Sequence, residues 1–202
     1  FASDRGDRVF AGAGNDKIAV ETFKSEYSGQ AGNDQFFSVG WQNTFRGGAG
    51  TDSISYAPRD DDSVQSRSGV SINLGAGFAD TGANRREFLF SIENATGSGA
   101  DDILIGSAKA NRLNGAGGFD VLTGKGGADR FVFSKITDCA VSDDGIDIIT
   151  DFSHAARDRI GLGSIDANVS AGAAGNQAFR FIGSAEFTGA AGQLRLELFN
   201  EG

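Results

Sequence analysis

The chain has 202 residues, with 31 glycines, one proline, no methionine and a formal net charge of −9. That composition describes an acidic, turn-dense, non-helical protein and argues against a nucleic-acid or anionic-membrane partner, either of which needs a basic face. No stretch approaches the roughly 18 apolar residues that span a bilayer, and the single cysteine, Cys139, excludes an internal disulfide and reads as a small semi-buried side chain.

Residues 1–58 form the first expected block. The stretches "AGAGNDKIA" (11–19), "GQAGNDQFF" (29–37) and "GGAGTDSIS" (47–55) recur every 18 residues. Under a nine-residue period, the eighth positions are Val9, Ile18, Tyr27, Phe36, Phe45 and Ile54. All are apolar, an outcome expected by chance roughly 0.4% of the time at this composition. The intervals are therefore repeats as well. They keep the inward position and drop the glycine-aspartate half.

A connecting segment, 59–96, follows, in which Val70, Ile72 and Leu74 alternate as a strand. A second block, 97–133, repeats the period in "GSGADDILI", "GSAKANRLN", "GAGGFDVLT" and "GKGGADRFV", with Leu104, Leu113, Leu122 and Phe131 at the eighth positions. Two blocks with one period are a repeat architecture.

The end of each nonad suits a very short strand with one inward side chain, and its glycine-rich start must turn. Two nonads then make one coil, with a strand on each side. Asp16, Asp34 and Asp52 should stack on one edge, roughly 4.8 Å apart. Carboxylates that close repel unless a cation lies between them. Calcium fits, being a hard ion that takes six to eight oxygens in tolerant geometry, whereas magnesium is stricter. On the opposite edge stand Asp7, Ser25 and Asn43, where few or no ions are expected. The second block offers both edges, Asp102 with Asp120 and Asn111 with Asp129. Extending the register by 18 reaches Asp138 and Asp147 as closing residues.

These nonads resemble the RTX (repeats-in-toxin) family, whose unit is GGxGxDxUx. The segment "SGVSINLGAGFADTGANRREFLFSIENATGSGADD" is similar to linkers of such proteins, and the tail 134–202, with "GIDIITDFSHAARDRIGLGSID", resembles the C-terminal domain of serralysin-type secreted metalloproteases. The resemblance implies an all-β fold, a right-handed parallel β-roll in two blocks of nonapeptide repeats, with a C-terminal β capping region. It also implies several calcium ions between stacked turns, type I secretion and folding driven by calcium outside the cell. The ligands it implies in the first roll are the carbonyls of Gly12 and Gly14 with Asp16, Gly32 with Asp34, and Gly48 and Gly50 with Asp52. In the second roll they are Gly97, Gly99, Asp102, Gly106, Asn111, Gly115, Gly117, Asp120, Gly124, Gly126 and Asp129, with Asp138 and Asp147 beyond. Gln30 and Lys109 depart from the pattern by replacing glycines, and Asn111 replaces an aspartate, so the Asn111 site should be weaker.

A serralysin zinc site needs HExxH, and His154 is the single histidine. It reads as a turn histidine near Asp151 and Asp158, whose own reading is strand-end turns ahead of a peripheral calcium role. No nucleophile elbow is present. The expectation is therefore a secreted, extracellular, calcium-binding module rather than an enzyme. It would be part of a larger secreted hydrolase, a protease first, with an upstream catalytic domain in the same polypeptide. The partners are calcium ions and, during export, the type I secretion apparatus, with no nucleic acid and no membrane span. The alternative is an extracellular adhesive or polysaccharide-binding repeat protein. The missing methionine suggests a mature product or excised fragment, and the early end at "ELFNEG" suggests that a terminal secretion signal lies further on.

Overall fold

A three- or four-residue strand with one inward side chain cannot bury that side chain alone, so the coils must stack for either to be stable. The structure, a computed structural model, describes residues 6–61, 68–82, 84–138, 146–167, 178–182, 185–186 and 188–194. Cys139 lies outside them. Among the described residues there is no α-helix.

The first three coils supply β1 (Arg8–Ala13), β2 (Lys17–Val20), β3 (Glu26–Ala31), β4 (Gln35–Ser38), β5 (Thr44–Ala49) and β6 (Ser53–Ser55). The connecting segment adds β7 (Ser71–Asn73), β8 (Phe78–Asp80), β9 (Arg86–Phe90) and β10 (Asn94–Thr96). The second block and its continuation add β11 (Ile103–Ile105), β12 (Arg112–Asn114), β13 (Val121–Thr123), β14 (Arg130–Val132), β15 (Ile148–Ile149) and β16 (Arg159–Gly161).

Two sheets result, nine-stranded in the order β1-β3-β5-β9-β8-β7-β11-β13-β15 and seven-stranded in the order β2-β4-β6-β10-β12-β14-β16. The seven-stranded sheet is parallel throughout. The nine-stranded one is parallel except at β8, which runs antiparallel to both neighbours. Register follows the nonads: Val9 pairs with Tyr27 and Tyr27 with Phe45, while Ile18 pairs with Phe36 and Phe36 with Ile54. The protein is an all-β parallel roll.

The eighth-position side chains meet between the sheets. Tyr27, Phe36, Phe45, Ile54, Leu104, Leu113, Leu122 and Phe131 are buried, and Val9 and Ile18 pack partly buried at the end of the same cluster. Aromatic rings fill the first coils, with Tyr27 stacked on Phe45 at 5.6 Å and Phe36 tilted against Phe45 at 5.3 Å. The connecting segment carries the core across, through Ile72, Ala79, Leu89 and Ala95. Residues 1–161 thus form one compact unit, which takes in the expected segments 1–58, 59–96 and 97–133 and the beginning of 134–202. The extension past 133 has a direct cause: β15 pairs with β13, and β16 with β14. Residues 162–202 form a second unit, in which β17 (Arg180–Phe181) pairs in parallel with β18 (Gln193–Leu194).

Candidate calcium sites on the turn edges

On the first carboxylate edge the sixth-position residues form a ladder from backbone to side chain. The Asp16 N–H donates to Asp34 Oδ1 at 2.9 Å, and the Asp34 N–H to Asp52 Oδ1 at 2.8 Å. Each of these bonds engages one carboxylate oxygen. The second oxygen, Oδ2 of Asp16, Asp34 and Asp52, is buried without a hydrogen-bond partner. A buried anionic oxygen with no donor is costly unless a cation approaches it. Burial pushes the Asp52 carboxyl above the usual range, and the charges of Asp34 and Glu93 add to that.

The turn backbone makes room for this arrangement. Gly32 has φ +132°, and a Cβ on it would lie 1.8 Å from the Gly14 carbonyl oxygen, so only glycine permits the close stack. The glycine at position one has a separate task. A Cβ on Gly29 would lie 2.0 Å from Asp34 Oδ2, and one on Gly47 2.2 Å from Asp52 Oδ2. Sequence reasoning missed this contact, although the signal, a glycine five residues before Asp34 and before Asp52, is present. Position five adds a ladder of opposite direction: the Asn33 N–H donates to Asn15 Oδ1 at 2.7 Å and the Thr51 N–H to Asn33 Oδ1 at 2.8 Å.

The other edge of the same coils uses neutral groups. The Asp7 N–H donates to Ser25 Oγ at 3.1 Å and the Ser25 N–H to Asn43 Oδ1 at 3.0 Å. Asn43 Nδ2 donates to the Thr22 carbonyl and to Glu87 Oε1. Glu87 is fully buried and also accepts from the hydroxyls of Ser38 and Tyr56; burial pushes its carboxyl up to about 7. At position four, Phe23 and Trp41 stack with centroids 5.1 Å apart and planes within 5°.

In the second block the Asp102 N–H donates to Asp120 Oδ1 at 2.9 Å, and the Asp120 N–H to Asp147 Oδ1 at 3.0 Å. Asp120 Oδ2 is again buried without a partner. Burial, followed by the charges of Asp102, Asp147 and Asp101, pushes the Asp120 carboxyl up to about 8. Along the other edge the Asn111 N–H donates to Asp129 Oδ1 at 2.8 Å, and the Asp129 N–H to Asp158 Oδ1 at 2.9 Å.

The 18-residue extension past these aspartates is corrected by the structure. Asp147 follows Asp120 at a separation of 27, and Asp158 follows Asp129 at 29, because the chain between β14 and β15 is longer than one nonad. Asp138 instead turns back within its own segment, where its Oδ2 accepts the N–H groups of Ser134 and Lys135 at 2.7 and 2.8 Å. Asp147 is pushed up to about 6 by burial and then by the charge of Asp138. Asp151 accepts the N–H groups of Gly124 and Lys125, both at 2.8 Å. His154 is exposed in a turn closed by the Arg157 N–H on its carbonyl.

Two turns of the second block differ from the others at position two. The Ser98 N–H donates to Asp102 Oδ2 at 2.6 Å and its hydroxyl to Oδ1 at 2.9 Å. The Ser107 N–H likewise donates to Asn111 Oδ1 at 2.6 Å, and Asn111 Nδ2 donates to the Glu93 carbonyl. In the turns whose second oxygen lacks a partner, position two is left-handed, as at Gly12, Gln30, Gly48 and Ala116. There the position-two N–H does not satisfy the carboxylate of its own turn. Gln30 therefore departs from the motif in residue type and keeps its conformation, with φ 79°.

Among the described residues no three His, Cys, Asp or Glu side chains converge as a metal cluster. A cation at these edges would complete its shell with turn carbonyls. Residues 72–201 match the family described as Peptidase M10 serralysin C terminal, and residues 1–19 match the RTX calcium-binding nonapeptide repeat (4 copies). The chain belongs to the serralysin C-terminal family. Its RTX repeats bind calcium ions. This serralysin C-terminal chain is a calcium-binding module of the kind associated with secreted proteases, and both of its matched modules are typical of secreted proteins. No curated protein matches it. No helix among the described residues is long and apolar enough to cross a membrane.

Proposed function

We propose that the stacked carboxylates hold calcium ions between successive turns and so couple folding of the roll to calcium outside the cell. The observation that carries this reading is the set of buried, partnerless Oδ2 atoms on Asp16, Asp34, Asp52 and Asp120. The ligand set is these oxygens with the carbonyls of Gly12, Gly14, Gly32, Gly48 and Gly50 in the first coils. In the later coils it is Gly115, Gly117, Gly124 and Gly126 with Asp120, Asp129 and Asp147. The turns of Gly97, Gly99 and Asp102 and of Gly106 and Asn111 are the weaker members, since hydrogen bonds from Ser98 and Ser107 already satisfy their side chains.

A bound calcium ion supplies two positive charges and accepts carboxylate and carbonyl oxygens together. Without that charge the aspartates repel across the stack, and the glycines regain backbone freedom, so the chain stays unfolded and exportable where calcium is scarce. Binding to the folded state alone shifts the equilibrium by mass action. The function that follows is support of type I secretion and extracellular stability for a larger secreted hydrolase, a protease first, with catalysis residing upstream in the same polypeptide. The chain itself is read as having no catalytic site.

Circular dichroism tests the coupling. Excess chelator should abolish the β-type signal and millimolar calcium should restore it. A spectrum indifferent to chelator would overturn the reading.

A further inference from the structure

The carboxylate ladder of the first coils does not stop at Asp52. The Asp52 N–H donates to Glu93 Oε2 at 3.0 Å, so Glu93, 41 residues on, occupies the next rung. It stands immediately before β10, which pairs with β6. The ladder thus crosses the junction between the repeat blocks.

At Asp16, Asp34 and Asp52 the second carboxylate oxygen lacks a partner. At Glu93 that oxygen is Oε1, and it holds the Lys109 ammonium at 3.0 Å. Lys109 is the residue that replaces a turn glycine in "GSAKANRLN". Its backbone is not left-handed, so the position no longer needs glycine. The Glu93 side chain is only 11% exposed, which makes an uncompensated charge there costly. The neighbouring Asn111 is neutral and satisfied by Ser107 and the Glu93 carbonyl. A cavity of about 330 Å³ opens beside Ser91, Glu93, Ser107 and Lys109, large enough to admit a cation once the lysine side chain is removed.

We propose that the Lys109 ammonium closes a latent calcium site at Glu93, so that the edge ladder binds calcium in two runs separated by a calcium-independent rung. This rests on the reading of the edges as calcium sites and adds a residue that excludes the ion at one of them. Within the fold the lysine balances the charge of this rung, whereas Asp16, Asp34 and Asp52 each keep an oxygen for a cation.

Equilibrium dialysis of the full chain with radioactive calcium, wild type against Lys109→Ala, tests the assignment. The variant should bind one more ion per chain at millimolar calcium, and the double variant Glu93→Gln/Lys109→Ala should return to the wild-type number. Equal binding by wild type and Lys109→Ala would overturn the proposal while leaving the calcium edges intact. A wild type that binds no calcium would overturn both.

Discussion

The two edges of the first three coils share strands, register and an 18-residue spacing, yet they solve the stacking problem in opposite ways. On one edge Asp34 and Asp52 each give one oxygen to the ladder and bury the other without a partner. On the other, Ser25 and Asn43 make the same ladder with neutral side chains, while Phe23 and Trp41 stack and Glu87 closes the end through four hydrogen bonds. The ladder therefore does not itself require charge. Charge on one edge makes that edge conditional on a cation, whereas the Ser25 and Asn43 rungs of the other need none.

The largest effect expected from breaking this contrast is at Asn43. Asn43→Asp replaces a donor to Thr22 and Glu87 by an anion beside a buried carboxylate, and should cost about 3 kcal/mol or more, read by urea denaturation in saturating calcium. No loss in saturating calcium would mean that the neutral edge can be converted into an ion site. Gly29→Ala comes next. Its Cβ would lie 2.0 Å from Asp34 Oδ2, and about 2 kcal/mol of overpacking is expected, with weaker calcium binding in the same titration. Ala11 occupies the equivalent position in the outermost turn, where it is exposed and a methyl is tolerated.

Asp34→Asn is a finer probe, because the amide can keep the Asp16 hydrogen bond while losing the charge. The calcium midpoint of folding should rise about tenfold, roughly 1.4 kcal/mol, with no loss of residual structure in chelator. A loss of stability that persists undiminished at saturating calcium would make the ladder, and not the charge, the essential feature.

The smallest effect is on pH dependence, where the sign distinguishes the calcium-free from the calcium-loaded roll. Burial, reinforced by neighbouring carboxylates, pushes Asp120 up to about 8 and Asp147 up to about 6, above the ordinary carboxyl value of 3.8. The folded state therefore holds protons that the unfolded chain releases. Without calcium, the stability these groups contribute is present below pH about 4 and is lost as pH rises towards about 8. With calcium the order reverses, since ligand carboxylates must be deprotonated. Residual β-type circular dichroism in chelator, and thermal melts in calcium, each at pH 5 and pH 8, check both signs. More residual β-type signal in chelator at pH 8 than at pH 5 would contradict the burial of these carboxylates.

The nine-residue period, the inward residues and the difference between the first two edges were all legible in the sequence. Each nonad repeats one local demand, a turn followed by one buried side chain, and a demand met within nine residues leaves its mark at a fixed spacing. The aspartates at 16, 34 and 52 share an edge for the same reason. What chain order could not supply is the partner of a rung across an insertion. Asp147 follows Asp120 and Asp158 follows Asp129 because β15 and β16 pair with β13 and β14, whatever the length of chain between. Glu93 belongs to no repeat motif. It becomes a rung only because β10 lies between β6 and β12, bringing the Asp52 amide and the Lys109 ammonium to the same carboxylate. Local periodicity specified the coil, and sheet pairing, which is non-local, decided which charges meet at its edges.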